Sequence, residues 1–164
     1  MRAALLFAIL LAAPLPALAE TRVDRIDIVG TGTYEIRAGQ ETPAADTPTG
    51  EVTGVETATN LEKTTSIKGR VGVEFGLQYV VVGEPAGAEI PLDFVILYPE
   101  PGLADPDKAE PVRESRYSRA KKIGDTVYLG YGFENEWEVA PGTWTFQIWY
   151  RGKKLAEQSF TVAK

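Results

Sequence analysis

Ser118 and Lys121 have the spacing S-x-x-K, in which penicillin-recognising enzymes place a nucleophilic serine beside a lysine base. That chemistry needs a helix that brings both side chains to one face, together with the companion motifs S-D-N and K-T-G. Neither companion occurs in the sequence. We therefore interpret the match as a chance occurrence.

Three acidic residues, Asp105, Asp107 and Glu110, lie in a proline-rich segment and could bind Ca²⁺ through their oxygens. The glycine and the distal glutamate of an EF-hand loop are missing at the required offsets. The pattern favours solvated loop acids.

Glu134, Glu136 and Glu138 could supply the acid pair of a glycosidase. Alternation would place all three on one side of a strand beside Trp137, where a solvated edge is the simpler interpretation.

Gly30 and Gly32 follow a short apolar run and partly match a dinucleotide-binding fingerprint. Glu35 stands at the third glycine position, and a carboxylate there would repel a pyrophosphate. We interpret the two glycines as a bulge or bend in a strand.

The sequence contains no histidine and no cysteine, and its net charge is −6. Without histidine, the protein lacks the commonest general base and metal ligand at neutral pH. Without cysteine, it has no thiol nucleophile and no disulfide. We predict no catalytic residue, no metal site and no cofactor. The acidic balance argues against nucleic acid and against an anionic membrane surface as partners.

One positive patch interrupts this acidic chain, formed by Arg113, Arg116, Arg119, Lys121 and Lys122. Its segment, residues 113–122, is expected to be an edge strand or a single helical turn. The patch could dock an acidic partner or an anionic glycan. The alternative is charge that protects a sheet edge from pairing, which the pattern modestly favours.

Trp149, Tyr150 and Arg151 form a second candidate contact. Alternation places Trp149 away from the aromatic side of its strand, on a face that is otherwise polar. A large aromatic ring on a polar face is normally covered, and the cover of Trp149 could be the long loop before Asn60, a second subunit or a partner. Trp, Tyr and Arg dominate interface energetics, so we expect a protein contact here.

Residues 1–19 have the form of a secretory signal peptide: Arg2, then an apolar run, then Ala17-Leu18-Ala19 before Glu20. The run is too short to span a bilayer. We expect cleavage after Ala19, a periplasmic or secreted protein with no stable membrane anchor, and a single domain over 20–164.

Alternating apolar residues predict seven to eight strands in that domain. Residues 71–82 alternate without a break, and residues 90–98 are apolar on both faces, as in a central strand. Trp144, Phe146, Ile148 and Tyr150 share one face of a closing hairpin that turns at residues 151–152, with an apolar return strand. Residues 37–59 carry no sustained period and predict a long mobile loop, with a short strand near 52–55. The fold class is therefore an all-β, immunoglobulin-like antiparallel β-sandwich.

More narrowly, the chain resembles a family of exported bacterial proteins, the domain of unknown function 3859. The likeness is carried by Gly130 to Phe133, Trp137 and Glu138, and Pro141 to Val162, with weaker likeness over Val23 to Val29 and Phe75 to Pro99. The resemblance implies the immunoglobulin-like fold and no activity.

These observations predict a non-enzymatic module that binds a protein or polymer partner in the bacterial envelope. Two alternatives stay open: a small hydrolase that uses carboxylates or a Ser/Lys pair, and a structural accessory subunit. A cavity with converging carboxylates would favour the enzyme, and an exposed aromatic face the binding module.

Overall fold

The computed structural model describes residues 20–164, so the expected signal peptide lies outside the described residues. Within them the chain forms nine strands and one short 3₁₀ helix. The strands are β1 (Arg22–Pro43), β2 (Glu51–Glu62), β3 (Ser66–Lys68), β4 (Glu74–Glu84), β5 (Glu89–Leu97), β6 (Glu114–Lys122), β7 (Thr126–Gly132), β8 (Gly142–Tyr150) and β9 (Lys153–Ala163), with the 3₁₀ helix at Glu136–Glu138 between β7 and β8. No helix in this part of the chain is long and apolar enough to cross a membrane.

The strands form two sheets. One has four strands in the order β2-β1-β4-β7, and the other has five in the order β3-β9-β8-β5-β6. Every pair is antiparallel except β3 with β9, which is parallel. The strand β5 lies inside its sheet and β6 lies at the edge, as the sequence predicts. The predicted all-β sandwich is confirmed.

The core lies between the sheets and is centred on Phe75 of β4. Its ring makes edge-on contacts with Trp144, Phe146 and Phe160 of the opposite sheet, with centroids 5.5, 5.6 and 5.5 Å away. All four side chains are fully buried. The alternation in β4 and β8 thus identified the inward faces correctly, since edge-on packing of large rings needs such faces opposed.

The closing hairpin turns where the sequence places it. Tyr150 pairs with Lys153, leaving Arg151 and Gly152 as a two-residue loop. Both have positive φ, 48° and 76°. Such a turn matches the twist of the flanking strands, and glycine adopts its second position without strain.

The prediction of a long loop over 37–59 is wrong, whereas the short strand expected near 52–55 lies within β2. Residues up to Pro43 belong to β1, and β2 starts at Glu51, so only residues 44–50 connect two long antiparallel strands. Residues 37–43 of β1 and most of β2 are exposed on both faces. Without a buried face they carry no apolar period, which is why their sequence is typical of a loop.

The glycines of residues 30–32 mark an irregular stretch of β1, as predicted. The register with β4 shifts between Ile28 and Gly30, and the register with β2 shifts between Thr33 and Tyr34. Gly32 has φ 147°, and a Cβ there would lie 1.8 Å from the carbonyl oxygen of Glu62. β1 stays in one sheet through this stretch.

A cleft beneath the β1–β2 hairpin

The far part of the β1–β2 hairpin, residues 34–60, leaves the edge of its own sheet and reaches the other sheet. Tyr34 is the last residue of β1 that pairs with β4, at Glu74. Beyond it, the hairpin has further register shifts between Arg37 and Ala38 and between Ala38 and Glu41. Bulges increase twist and bend a strand. The hairpin can therefore curl across the sandwich.

Hydrogen bonds hold the curled hairpin at two places. Near its base, the Gln78 side chain on the outer face of β4 donates to the Ala58 carbonyl oxygen over 3.0 Å. Near its tip, Arg119 Nη2 donates to Thr42 Oγ1 over 2.6 Å. The backbone N–H of Arg116 in β6 also donates to the carbonyl oxygen of Asp46, over 2.9 Å. The hairpin thus bridges from β4 to the edge strand β6.

A cleft of about 390 Å³ lies beneath this bridge. Its walls are the hairpin, the outer faces of β4 and β7, and the inner face of β6. The lining is mixed: phenol rings, two cations and several carboxylates, with the chief side chains being Glu74, Gln78, Tyr117, Arg119, Lys121, Tyr128 and Tyr131. Ligand pockets in proteins have this size and this combination of aromatic and polar groups.

Glu74 is the most perturbed acid of the cleft. Burial raises the pKa of its carboxyl to about 7, a shift that the Tyr128 hydrogen bond opposes and the nearby Glu134 charge increases. The Tyr128 hydroxyl donates to Glu74 Oε1 over 2.8 Å. A Cβ at Gly132 would lie 2.3 Å from Glu74 Oε2. Glycine at this position therefore leaves room for the carboxylate.

Glu138 is buried, which corrects the expectation of a solvated strand edge for Glu134, Glu136 and Glu138. Residues 136–138 form a 3₁₀ turn, so only Glu138 points inward, with 1% of its surface exposed. Its Oε2 accepts the backbone N–H groups of Glu134 and Asn135, each over 2.6 Å. Its Oε1 accepts the Tyr131 hydroxyl over 3.1 Å. Glu138 thus fixes the turn that carries β7 into β8.

The structure divides the predicted positive patch between two faces of β6. Arg116 and Lys122 point outward and are exposed, and Arg116 pairs with Glu114 over 3.3 Å. Arg119 and Lys121 alternate with them, are half-buried and line the cleft. Burial, and then the neighbouring Arg119 charge, lower the pKa of Lys121.

The S-x-x-K match does not form a catalytic pair. On a strand, positions three apart point to opposite faces. Ser118 is exposed on the outer face and donates its hydroxyl to Asp93, whereas Lys121 lines the cleft. The interpretation of this motif as coincidence agrees with that geometry.

The structure also separates Trp149, Tyr150 and Arg151. Trp149 lies half-buried on the outer face of the five-stranded sheet, where its Nε1 donates to Gln147 Oε1 over 3.0 Å. Tyr150 packs against the core on the other face. Arg151 lies in the turn with its guanidinium 5.1 Å from the Tyr150 ring centre. The hydrogen bonds of the hairpin tip go to β6 and to Lys108, so the segment before Asn60, one of the three possible covers of Trp149, lies elsewhere.

Among residues 20–164, no group of three or more acidic side chains is arranged to hold a metal ion. In the segment of Asp105, Asp107 and Glu110, the Asp105 carboxylate instead accepts the backbone N–H of Asp107 over 2.9 Å.

Sequence reasoning missed Glu74, Gln78 and Tyr128 as cleft residues, although the alternation over residues 71–82 places Glu74 and Gln78 on the face opposite Phe75. The sequence did contain one signal of the cleft: Gly130 lies on the same face of β7 as Tyr128. A Cβ at Gly130 would lie 1.8 Å from the Tyr128 hydroxyl oxygen. Small residues beside a tyrosine on an outer face indicate that something lies against that face.

Comparisons with known proteins agree with this architecture. A family model described as a domain of unknown function (DUF3859) matches residues 22–162. The chain is similar to the crystal structure of an immunoglobulin-like protein from Pseudomonas aeruginosa, with a TM-score of 0.56 and 26% identity, covering 90% of this chain and 99% of that one. No curated protein matches the chain. The resemblance stated from the sequence and the immunoglobulin-like fold are both confirmed.

Proposed function

The chain belongs to the DUF3859 family of immunoglobulin-like domains, and we propose that it is an exported, non-enzymatic module that binds a polysaccharide of the bacterial envelope in the hairpin cleft. The observation that carries the proposal is the cleft itself. It is concave, has a volume of about 390 Å³ and is lined by tyrosine rings and hydrogen-bonding side chains. Tyrosine combines an apolar ring with a polar tip, which suits a ligand rich in both C–H and O–H groups.

A polysaccharide fits this site better than an extended peptide. Peptides commonly bind sheet edges by adding a strand, which needs unoccupied backbone groups. At the β6 edge, the N–H of Arg116 already donates to Asp46, and the carbonyl oxygen of Ser118 accepts Arg119 Nη1 over 2.8 Å. Side chains therefore dominate what the cleft offers to a ligand.

One observation favours the hydrolase alternative. Glu74 lies in a cleft with its pKa raised to about 7, as in a general acid. Hydrolysis would need a second carboxylate at a fixed separation. Glu138 is already bonded to three donors, which leaves the exposed Glu134, whose charge acts on Glu74, as the candidate. A polysaccharide that binds should release no reducing ends on long incubation. Release that the Glu74→Gln change abolishes would favour the enzyme instead.

Export is part of the proposal and rests on the signal-peptide pattern of residues 1–19. N-terminal sequencing of protein recovered from the periplasm or the medium should start at Glu20. An intact species that starts at Met1 in that fraction would contradict cleavage after Ala19.

The binding proposal is tested by filling the cleft. Ala38 of the hairpin lines it, so Ala38→Phe narrows the space without removing a hydrogen-bonding side chain. Ala120→Phe, on the exposed outer face of β6, is the matched control. Binding of the processed protein to a panel of immobilised envelope polysaccharides should be lost in Ala38→Phe and kept in Ala120→Phe, with thermal midpoints close to the wild type. Equal binding by the two variants would move the site away from the cleft.

A further inference from the structure

Arg119 and Lys121 are neighbouring cations on the inner face of β6. Residues two apart on a strand point the same way and lie about 6.6 Å apart along it. Both are half-buried and both line the cleft. Charges that lose contact with water are normally paired with an opposite charge, because an unpaired one is costly to bury.

Neither cation has an acidic partner in the described part of the chain. No carboxylate oxygen of residues 20–164 lies within 4.0 Å of their side-chain nitrogens. Arg119 donates only to neutral acceptors: Thr42 Oγ1, the Thr42 carbonyl oxygen and the Ser118 carbonyl oxygen. Its guanidinium lies 5.4 Å from the centre of the Tyr117 ring. The two positive charges are thus held side by side without a carboxylate in contact with either.

The carboxylates of the cleft do not neutralise this pair. Glu138 is bonded to two backbone N–H groups and the Tyr131 hydroxyl. Glu74 accepts the Tyr128 hydroxyl and, with a pKa of about 7, is partly protonated near neutral pH. The remaining lining acids are exposed to water: Glu41, Glu51, Glu56 and Glu134.

We propose that Arg119 and Lys121 form an anion-binding subsite that holds a carboxylate of an acidic polysaccharide, a chain containing uronic acids. A guanidinium and an ammonium at this spacing can each donate to one carboxylate oxygen, and charge-assisted bonds of that kind are the strong ones. The bound carboxylate would supply the missing counter-charge for both cations. This subsite rests on the proposed function and narrows its ligand class.

The test uses the processed protein and two probes that differ only in the acid group: an oligogalacturonate and the neutral oligogalactose of equal length and linkage. Affinities are measured by isothermal titration calorimetry at low ionic strength. Lys121→Gln and Arg119→Gln remove one cation each from the cleft. Lys122→Gln and Arg116→Gln make the same changes on the outer face of the same strand.

The wild type should bind the acidic probe more tightly than the neutral one. Lys121→Gln and Arg119→Gln should each weaken binding of the acidic probe about tenfold or more, since each removes a charge-assisted bond. Lys121→Gln should keep its affinity for the neutral probe, because the Lys121 side chain does not hold the hairpin. Arg119→Gln also loses the bond to Thr42, so it should weaken binding of the neutral probe, but less than binding of the acidic one. The outer-face variants should behave as the wild type.

Three results would overturn the subsite while leaving the cleft as a binding site. The first is equal wild-type affinity for the two probes. The second is an equal loss for both probes in Lys121→Gln, and the third is tighter binding of inorganic phosphate than of the oligogalacturonate. A wild type that binds neither probe nor any polysaccharide of the panel would refute the proposed function together with the subsite.

Discussion

Replacing Glu138 by alanine removes an acceptor that three donors share. The carboxylate has 1% of its residue surface exposed and accepts the backbone N–H groups of Glu134 and Asn135 and the hydroxyl of Tyr131. The first two donors open the 3₁₀ turn of residues 136–138. The third belongs to a wall of the cleft. The change should therefore loosen both the turn and the cleft wall.

The size of the effect follows from these three bonds. A hydrogen bond to a charged group contributes about 1.5–3 kcal/mol, but three bonds to one carboxylate do not add independently. Glu134 and Asn135 are exposed residues, so water can reach their N–H groups in the variant. We expect Glu138→Ala to lower the free energy of unfolding by about 3 kcal/mol. Glu138→Gln keeps one acceptor oxygen and should cost about 1 kcal/mol.

Equilibrium urea denaturation, followed by tryptophan fluorescence, measures this loss. With a slope of about 2 kcal/mol per molar urea, Glu138→Ala should move the midpoint down by about 1.5 M. The control is Glu136→Ala in the same turn, whose side chain is exposed. It should change the free energy of unfolding by less than about 0.5 kcal/mol.

A Glu138→Ala variant as stable as Glu136→Ala would refute this reasoning. It would mean that the three hydrogen bonds stabilise the buried carboxylate by no more free energy than its removal from water costs. A Gln variant as unstable as the Ala variant would show that the charge, rather than the acceptor geometry, stabilises the turn.

Further predictions concern acid burial, core packing and the outer face. Burial raises the pKa of Glu74 to about 7 from 4.5, so the native state holds its proton more tightly and stability from this group is lost as pH rises through that window. Each pKa unit between 4.5 and about 7 is worth about 1.4 kcal/mol, so in urea titrations Glu74→Gln should be about 3 kcal/mol more stable than the wild type above pH 7 and equal to it below pH 4.5; a pH-independent difference would contradict this. Trp144→Ala should cost about 3–5 kcal/mol in thermal or urea unfolding because the ring is fully buried, whereas Thr143→Ser, on the opposite face, should cost less than about 0.5 kcal/mol; the reverse order would mean a wrong strand register. Trp149→Ser should cost about 1 kcal/mol, since the half-buried ring bonds to Gln147, and should leave polysaccharide affinity unchanged; lost binding would place a partner on the outer face instead.

The sandwich could be predicted because its central strands each have one fully buried face. In β4 and β8 the residues at alternate positions, from Phe75 to Val81 and from Trp144 to Ile148, have at most 1% of their surface exposed. A strand with one buried face and one solvent-exposed face has apolar residues at every second position of its sequence. The pattern alone therefore located these strands and their inward side chains.

The β1–β2 hairpin could not be found in this way. Over residues 51–62, no side chain of β2 is fully buried, so neither face selects apolar residues. Its stability comes from pairing with β1 and from the bonds to Gln78 and Arg119. Backbone pairing leaves little trace in the sequence when both faces meet water.

The chemistry of the candidate site could not be predicted from local sequence either. Ser118 and Lys121 are three residues apart and match a catalytic motif, yet the strand sends them to opposite faces. Arg119 and Thr42 are separated by 77 residues and share a hydrogen bond of 2.6 Å. Alternation within β6 is enough to place Arg119 and Lys121 on the face opposite Arg116 and Lys122. It does not predict which residues Arg119 and Lys121 contact. That depends on a hairpin bent by bulges from the other sheet, so the chemistry of the cleft is set by long-range contacts rather than by a local motif.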